Sequence, residues 1–187
     1  LPSMSPSILY RRLCILTLVL LGLLGGNGGT PLVSAQGDER LPIASTIEIT
    51  GAVAEPGSVV SYDEATDQYT LAATSSDRAV YGVVATRPAI VFVTATSAVP
   101  VVTSGVTPVR VSVSEGAIVR GDLLTTSREL GVARRASTSD SVAFAIALAV
   151  PDDTSGLVLA EVNTGKAQAE LERRQAAAMA AATAPPE

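Results

Sequence analysis

The sequence predicts a mainly β domain, a compact barrel or sandwich of short strands from two similar units, followed by a C-terminal α-helix. Three observations carry that reading. Residues 46–162 are dominated by Val, Ile, Thr, Ala and Ser in short runs, interrupted by Gly, Pro and Asp. Such β-branched runs bounded by turn residues are the signature of strands. Several pieces of the first half of this stretch match pieces of the second. Beyond residue 165 the composition turns abruptly to Ala, Glu, Gln and Arg, all good helix formers.

Taken in order, strands are expected at residues 47–50, 59–62, 69–72, 79–86, 90–94, 99–103, 109–113, 118–120, 131–134, 143–149 and 157–162. Residues 109–113 alternate as Val-Arg-Val-Ser-Val, the pattern of a strand with one buried face. Many short strands at this spacing argue for a barrel or sandwich and against a parallel α/β sheet. The helix is expected over residues 163–187. Asn163 or Thr164 can cap its start, Glu170 and Arg174 form an i,i+4 pair, and Pro185-Pro186 ends it. Leu171, Met179 and the alanines make only a thin apolar stripe, which predicts a solvated tail and not a core element.

The internal match places residues 47–94 against 109–162. Gly57-Ser-Val-Val-Ser-Tyr-Asp63 aligns with Gly116-Ala-Ile-Val-Arg-Gly-Asp122, and Ile47-Glu-Ile49 aligns with Val109-Arg-Val111. Asp77 to Val84 falls on Asp140 to Ala147, so that Tyr81 meets Phe144. Ile90-Val-Phe-Val93 meets Leu157-Val-Leu-Ala160. Two β units too small to close a core alone are expected to pack together. The alignment further predicts that Tyr81 and Phe144 both point inward.

The stretch Gly116-Ala-Ile-Val-Arg-Gly-Asp-Leu-Leu-Thr-Thr-Ser127, followed by Gly131-Val-Ala133, resembles the C-terminal domains of phage tail-fibre and neck-appendage proteins. These include the peptidase G2 intramolecular-chaperone domain. Val80-Tyr-Gly-Val-Val84 is similar to another part of that pattern, and the resemblance spans residues 51–162. The same pattern also fits SAF-like and other β-clip domains. The chain departs from it at Ala145-Ile-Ala-Leu-Ala149, where a glycine followed by a charged residue is expected. The resemblance implies a β-rich module of a fibrous or surface assembly, sometimes one that cleaves its own chain. No cleavage residue maps onto this sequence.

Residues 1–35 read as a secretory signal. Arg11 and Arg12 precede an apolar run over residues 13–24, and Val33-Ser34-Ala35 supplies the small-x-small site read by a signal peptidase. The run is shorter than the roughly 20 residues of a membrane-spanning helix. Cleavage after Ala35 is therefore expected, with an uncleaved anchor as the alternative. The mature protein is expected outside the cell, on its surface or in the periplasm. Residues 36–46 form a flexible lead-in.

Of 13 basic and 18 acidic residues, two arginines lie in the signal, which leaves a mature net charge of −7. So acidic a chain does not suit nucleic acid, whose binding rests on neutralising phosphates. Nor does it offer a basic cluster for anionic lipid. The one cysteine, Cys14, falls in the signal, so the mature protein has no internal disulfide, and the sequence has no histidine. That removes Ser-His-Asp and Cys-His catalysis and the usual zinc ligands. Asp63-Glu64 with Asp67, Asp152-Asp153 and Ser139-Asp140-Ser141 could in principle offer oxygen to a hard cation. All sit beside turn-forming residues without the spacing of a calcium loop, and read as turns. The only lysine, Lys166, has no motif that pairs it with a serine.

No catalytic, cofactor-binding or metal-binding residue is therefore assigned. The expected function is that of an exported non-enzymatic β module that is structural or mediates interaction, through a protein partner or self-assembly. A self-cleaving fibre-type domain and a carbohydrate-binding sandwich are the alternatives. Against the latter, the mature chain has no Trp and only Tyr62, Tyr69, Tyr81, Phe92 and Phe144 for stacking on sugars.

Overall fold

Val, Ile and Thr crowd their own helical turn at Cβ but fit a pleated strand, so the apolar runs of this chain pair with one another. A computed structural model describes residues 40–93, 98–152 and 156–183. The signal at 1–35, the first part of the lead-in, the end of the strand expected at 90–94 and the proline stop at 185–186 lie outside the described residues. Ten strands and one helix follow in order: β1 (Ile43–Ile47), β2 (Val59–Asp63), β3 (Gln68–Leu71), β4 (Val80–Val84), β5 (Ile90–Phe92), β6 (Val99–Arg110), β7 (Leu123–Thr126), β8 (Ala133–Arg135), β9 (Ala145–Ala147), β10 (Leu157–Val162) and α1 (Thr164–Thr183). They form one curled, half-barrel sheet in the order β3-β2-β4-β6-β10-β9-β7-β8, with β1 on β6 and β5 on β1. All pairs of named strands are antiparallel except β1–β5. The fold is thus mainly β with a C-terminal helix.

Four elements differ from the sequence reading. The first strand begins inside the expected lead-in, because residues 43–47 pair with β6 along their whole length. The strands expected at 99–103 and 109–113 are one strand, β6, which runs through Gly105 at φ 117. A side chain there would collide with the carbonyl oxygen of Leu41, so only glycine lets the chain continue past it. No strand forms at 118–120; Asp122 caps a turn by accepting from the Val119 N–H at 2.9 Å. The strand lies just beyond, in β7, whose four residues are all buried and therefore show no alternation.

A few backbone contacts of the first half have counterparts in the second. Gly57 donates to the Val84 carbonyl at 2.8 Å, and Val84 donates back to Ser58 at 2.9 Å. Gly121 donates to Ala147, and Ala147 to Asp122, both at 2.8 Å. Both glycines are left-handed, at φ 86 and 92. Ile49 bridges Tyr69 in parallel as Val111 bridges Ala133. Gly57 therefore answers to Gly121, not to Gly116, and β10 holds the place of the start of β6, not of β5. Gly82 after Tyr81 pairs with Val60, and Ala145 after Phe144 pairs with Leu124, but only the first pair sits beside a register slip.

The core divides accordingly. Val109, Leu124, Phe144, Ala147, Val158 and Ala160 make the centre of the second half, with Val59, Ala72 and Val83 of the first half inserted among them. Ile47, Val60, Leu71, Val84 and Val101 make the centre of the first half, with Tyr69 and Tyr81 half-buried at its edge. Phe144 is fully buried, so the two aromatics are not equally inward. On the other side of β7 and β9, Leu123 and Ala143 pack against Ala167 and Leu171 of α1. The first half of the helix is therefore docked and not solvated. Asn163 caps it by accepting from the Lys166 N–H at 3.0 Å, and the Glu170–Arg174 pair forms at 3.0 Å. Its last nine residues except Gln175 are exposed. Among the described residues no helix is long and apolar enough to cross a membrane.

Candidate functional site

The three tyrosines downstream of the signal all fall in one row on the first half of the sheet. Tyr62 on β2 lies directly opposite Tyr69 on β3. Between β2 and β4 the register slips: Val60 pairs with Gly82 and Ser61 with Val80, so Tyr81 has no partner of its own. Such a bulge re-aims the extra residue, and here it turns Tyr81 onto the face that carries Tyr69. The Tyr62 and Tyr69 ring centroids are 4.8 Å apart, and those of Tyr69 and Tyr81 are 4.7 Å apart in an edge-to-face arrangement. Edge-to-face pairs of this kind hold aromatic rings in fixed positions.

Carboxylates surround the row. The Tyr62 hydroxyl donates to Asp67 at 2.8 Å, and Asp67 sits at φ 53 in the β2–β3 turn. Asp63 accepts from the Thr66 hydroxyl at 2.8 Å and from the Ala65 N–H at 3.0 Å, which lowers its pKa. The bond to Asp67, reinforced by desolvation and the Asp67 charge, raises the Tyr62 phenol above its ordinary value. Burial, and then the neighbouring Tyr81, raise Tyr69. Both phenols therefore remain neutral hydrogen-bond donors in ordinary conditions and are poor bases. Two shallow hollows flank the row, and Tyr81 lines both. One, of about 630 Å³, has Asp63, Glu64 and Asp77 in its wall against a single cation, Arg78. The other, of about 520 Å³, has Glu48 and Asp67 and no cation. Aromatic faces edged by carboxylates attract cations.

A second polar cluster is buried. The Arg134 guanidinium grips Asp140 with two bonds, of 3.0 and 2.5 Å, and reaches Ser75 at 2.8 Å and Glu115 at 3.2 Å. Asp140 also accepts from Ser76 at 2.5 Å and from the Ser137 N–H at 2.7 Å. Burial alone would raise the Asp140 carboxyl. The donors from Arg134, Ser76 and Ser137 outweigh it and hold the carboxyl well below the usual range. A carboxylate so fully engaged is a poor proton acceptor. Its work is mechanical: it ties the Ser75-Ser76 turn of the first half to the second, and Gln175 of α1 donates to its carbonyl at 2.8 Å.

Asp63, Asp67 and Asp140 thus all have side chains engaged in hydrogen bonds within the protein, and Glu64 lines the first hollow. Lys166 pairs with Glu161 at 2.7 Å. Among the described residues no three Asp or Glu side chains gather closely enough to hold a metal ion. Asp153 and Asp152 straddle the edge of the described residues. Sequence reasoning counted the tyrosines only as aromatics and did not single out Arg134. The one signal available for the row was that Tyr62, Tyr69 and Tyr81 all fall within 20 residues. No protein-family model matches the chain, and no curated protein matches its sequence.

Proposed function

We propose that this protein is an exported, non-enzymatic β module whose work is to present the tyrosine row of its first half to a protein partner. The observation that carries the reading is the row itself. Three half-buried aromatic rings stand in fixed contact at the end of a core, with five carboxylates and one arginine around them. In this reading the protein is a doubled β unit. The second half is covered by the first and by α1, while the first leaves its tyrosine face open. A basic segment of a partner chain matches the charge of that face, with Arg or Lys against the rings. Resemblance to fibre-type domains supports a place in a surface assembly. The carbohydrate-binding alternative uses the same rings but needs no charge.

Once the signal is removed, every remaining tyrosine lies in the row, and there is no Trp to mask its emission. Tyrosine fluorescence of the secreted protein is therefore a direct reporter. Titration with short Arg- and Lys-containing peptides should change the emission, and 0.5 M salt should weaken the effect. A response to neutral oligosaccharides instead would favour the sugar-binding alternative. Silence towards both would remove the tyrosine row as the site. N-terminal sequencing of the exported protein, with Gln36 as the expected first residue, tests export.

A further inference from the structure

Strand β5 is the least protected element of the sheet. Ile90, Val91 and Phe92 are 44, 40 and 59 % exposed, and Val93 just beyond is 73 % exposed. Among the described residues its one strand partner is β1, in parallel register, with Ile43 against Ile90 and Ser45 against Phe92. On β1, Ile43 is itself exposed, as is Leu41 just before it, and both extend the same apolar surface. Parallel strands are ordinarily covered on both faces, and free edges are ordinarily guarded by charge, proline or a bulge. Within β5 there is no such guard. The sequence between Arg87 and Arg110 contains no charged residue at all.

We infer that the free edge of β5 pairs antiparallel with β5 of a second copy, forming a two-fold dimer by strand addition. Charge selects this occupant. The chain has five more acidic than basic residues, so two copies repel on balance. At β5 they can approach with no like charges facing. An antiparallel pairing of Ile90-Val91-Phe92 with itself, with the axis at Val91 so that the two Val91 side chains oppose each other, is self-complementary, as a two-fold interface must be. It satisfies the open backbone groups of both edges and covers the apolar side chains on both faces. The dimer does not depend on the tyrosine row having a partner.

The test is the mass of the full chain in solution, measured by analytical ultracentrifugation up to about 1 mM, a range that reaches weak interfaces. The expected result is a concentration-dependent doubling of mass. Val91→Lys and Val91→Glu should each be monomeric, with unchanged circular dichroism because the position is exposed. Mixing the two variants should restore the dimer, since opposite charges then face across the two-fold axis. A wild-type chain that stays monomeric throughout overturns the inference. So does a dimer that survives in both variants, which would place the contact elsewhere, including on the N-terminal segment. Tyrosine emission in the Val91 variants remains a separate readout, so loss of the dimer leaves the test of the tyrosine row intact.

Discussion

Tyr81 and Phe144 each stand just before a strand residue paired across the sheet, Gly82 with Val60 and Ala145 with Leu124, yet one lines two open hollows and the other is sealed in the core. Their neighbours explain the difference. Opposite the bridge residues Ile49 and Val111 stand Tyr69 in the first half and Ala133 in the second. The small alanine belongs to the core into which Val59, Ala72 and Val83 of the first half insert. At Tyr69 a large, half-buried ring takes that place, packed against the core of the first half and against Tyr81. Similarly paired strands can therefore make a closed core or an open aromatic face, and here the slipped register at Tyr81 helps to open it. What stacks on them decides, because burial depends on what lies across the sheet as well as on the strand itself.

The largest expected effects break the closed side of the comparison. Phe144→Ala should cost roughly 3–5 kcal/mol in urea unfolding, as for large buried aromatics generally. Tyr81→Ala, at the half-buried counterpart, should cost only about 1–2 kcal/mol. Equal losses would mean that burial is not what separates the halves.

Arg134→Met should be comparably damaging, roughly 3–5 kcal/mol, because it leaves the buried Asp140 carboxylate without its counter-charge. The double variant Arg134→Met/Asp140→Asn should recover part of that. The Asp140 pKa is lower folded than unfolded, so its stabilising contribution is complete above the unfolded value of about 4 and is lost as pH falls below it. Asp140→Asn should flatten the acid limb of a stability–pH curve. An unchanged slope would show that other carboxylates govern acid unfolding.

The helix sharpens the comparison, since it covers the second half and not the first. Leu171→Ala should cost about 2–4 kcal/mol, whereas Met179→Ala, on the exposed end, should stay within about 0.5 kcal/mol. Similar values would mean that α1 does not cover the second half.

Local chemistry made much of the fold legible. The β-branched runs at β2, β3, β4 and β10 are bounded by turn residues close to where the strands end, and the Ala-Glu-Arg composition after Asn163 announces the helix with its cap. These depend on backbone preference and on hydrogen bonds within a few residues, which sequence carries directly. The row of tyrosines was not legible, because it needs three strands and a slipped register at Tyr81 to assemble. Arg134 and Asp140 are six residues apart, but their value depends on Ser75 and Ser76, about 60 residues away in sequence.

By itself, then, the sequence determined the class: many short strands, one capped helix, and a chain without histidine whose one cysteine precedes the β domain. Only the tertiary structure decided which faces close. Leu123–Thr126 shows no alternation because both of its faces are buried, one against the central core and one against α1. Leu171 became a core residue because β7 and β9 offered it a surface. A residue's burial is a property of everything packed around it, and the residues that pack around these come from distant parts of the chain.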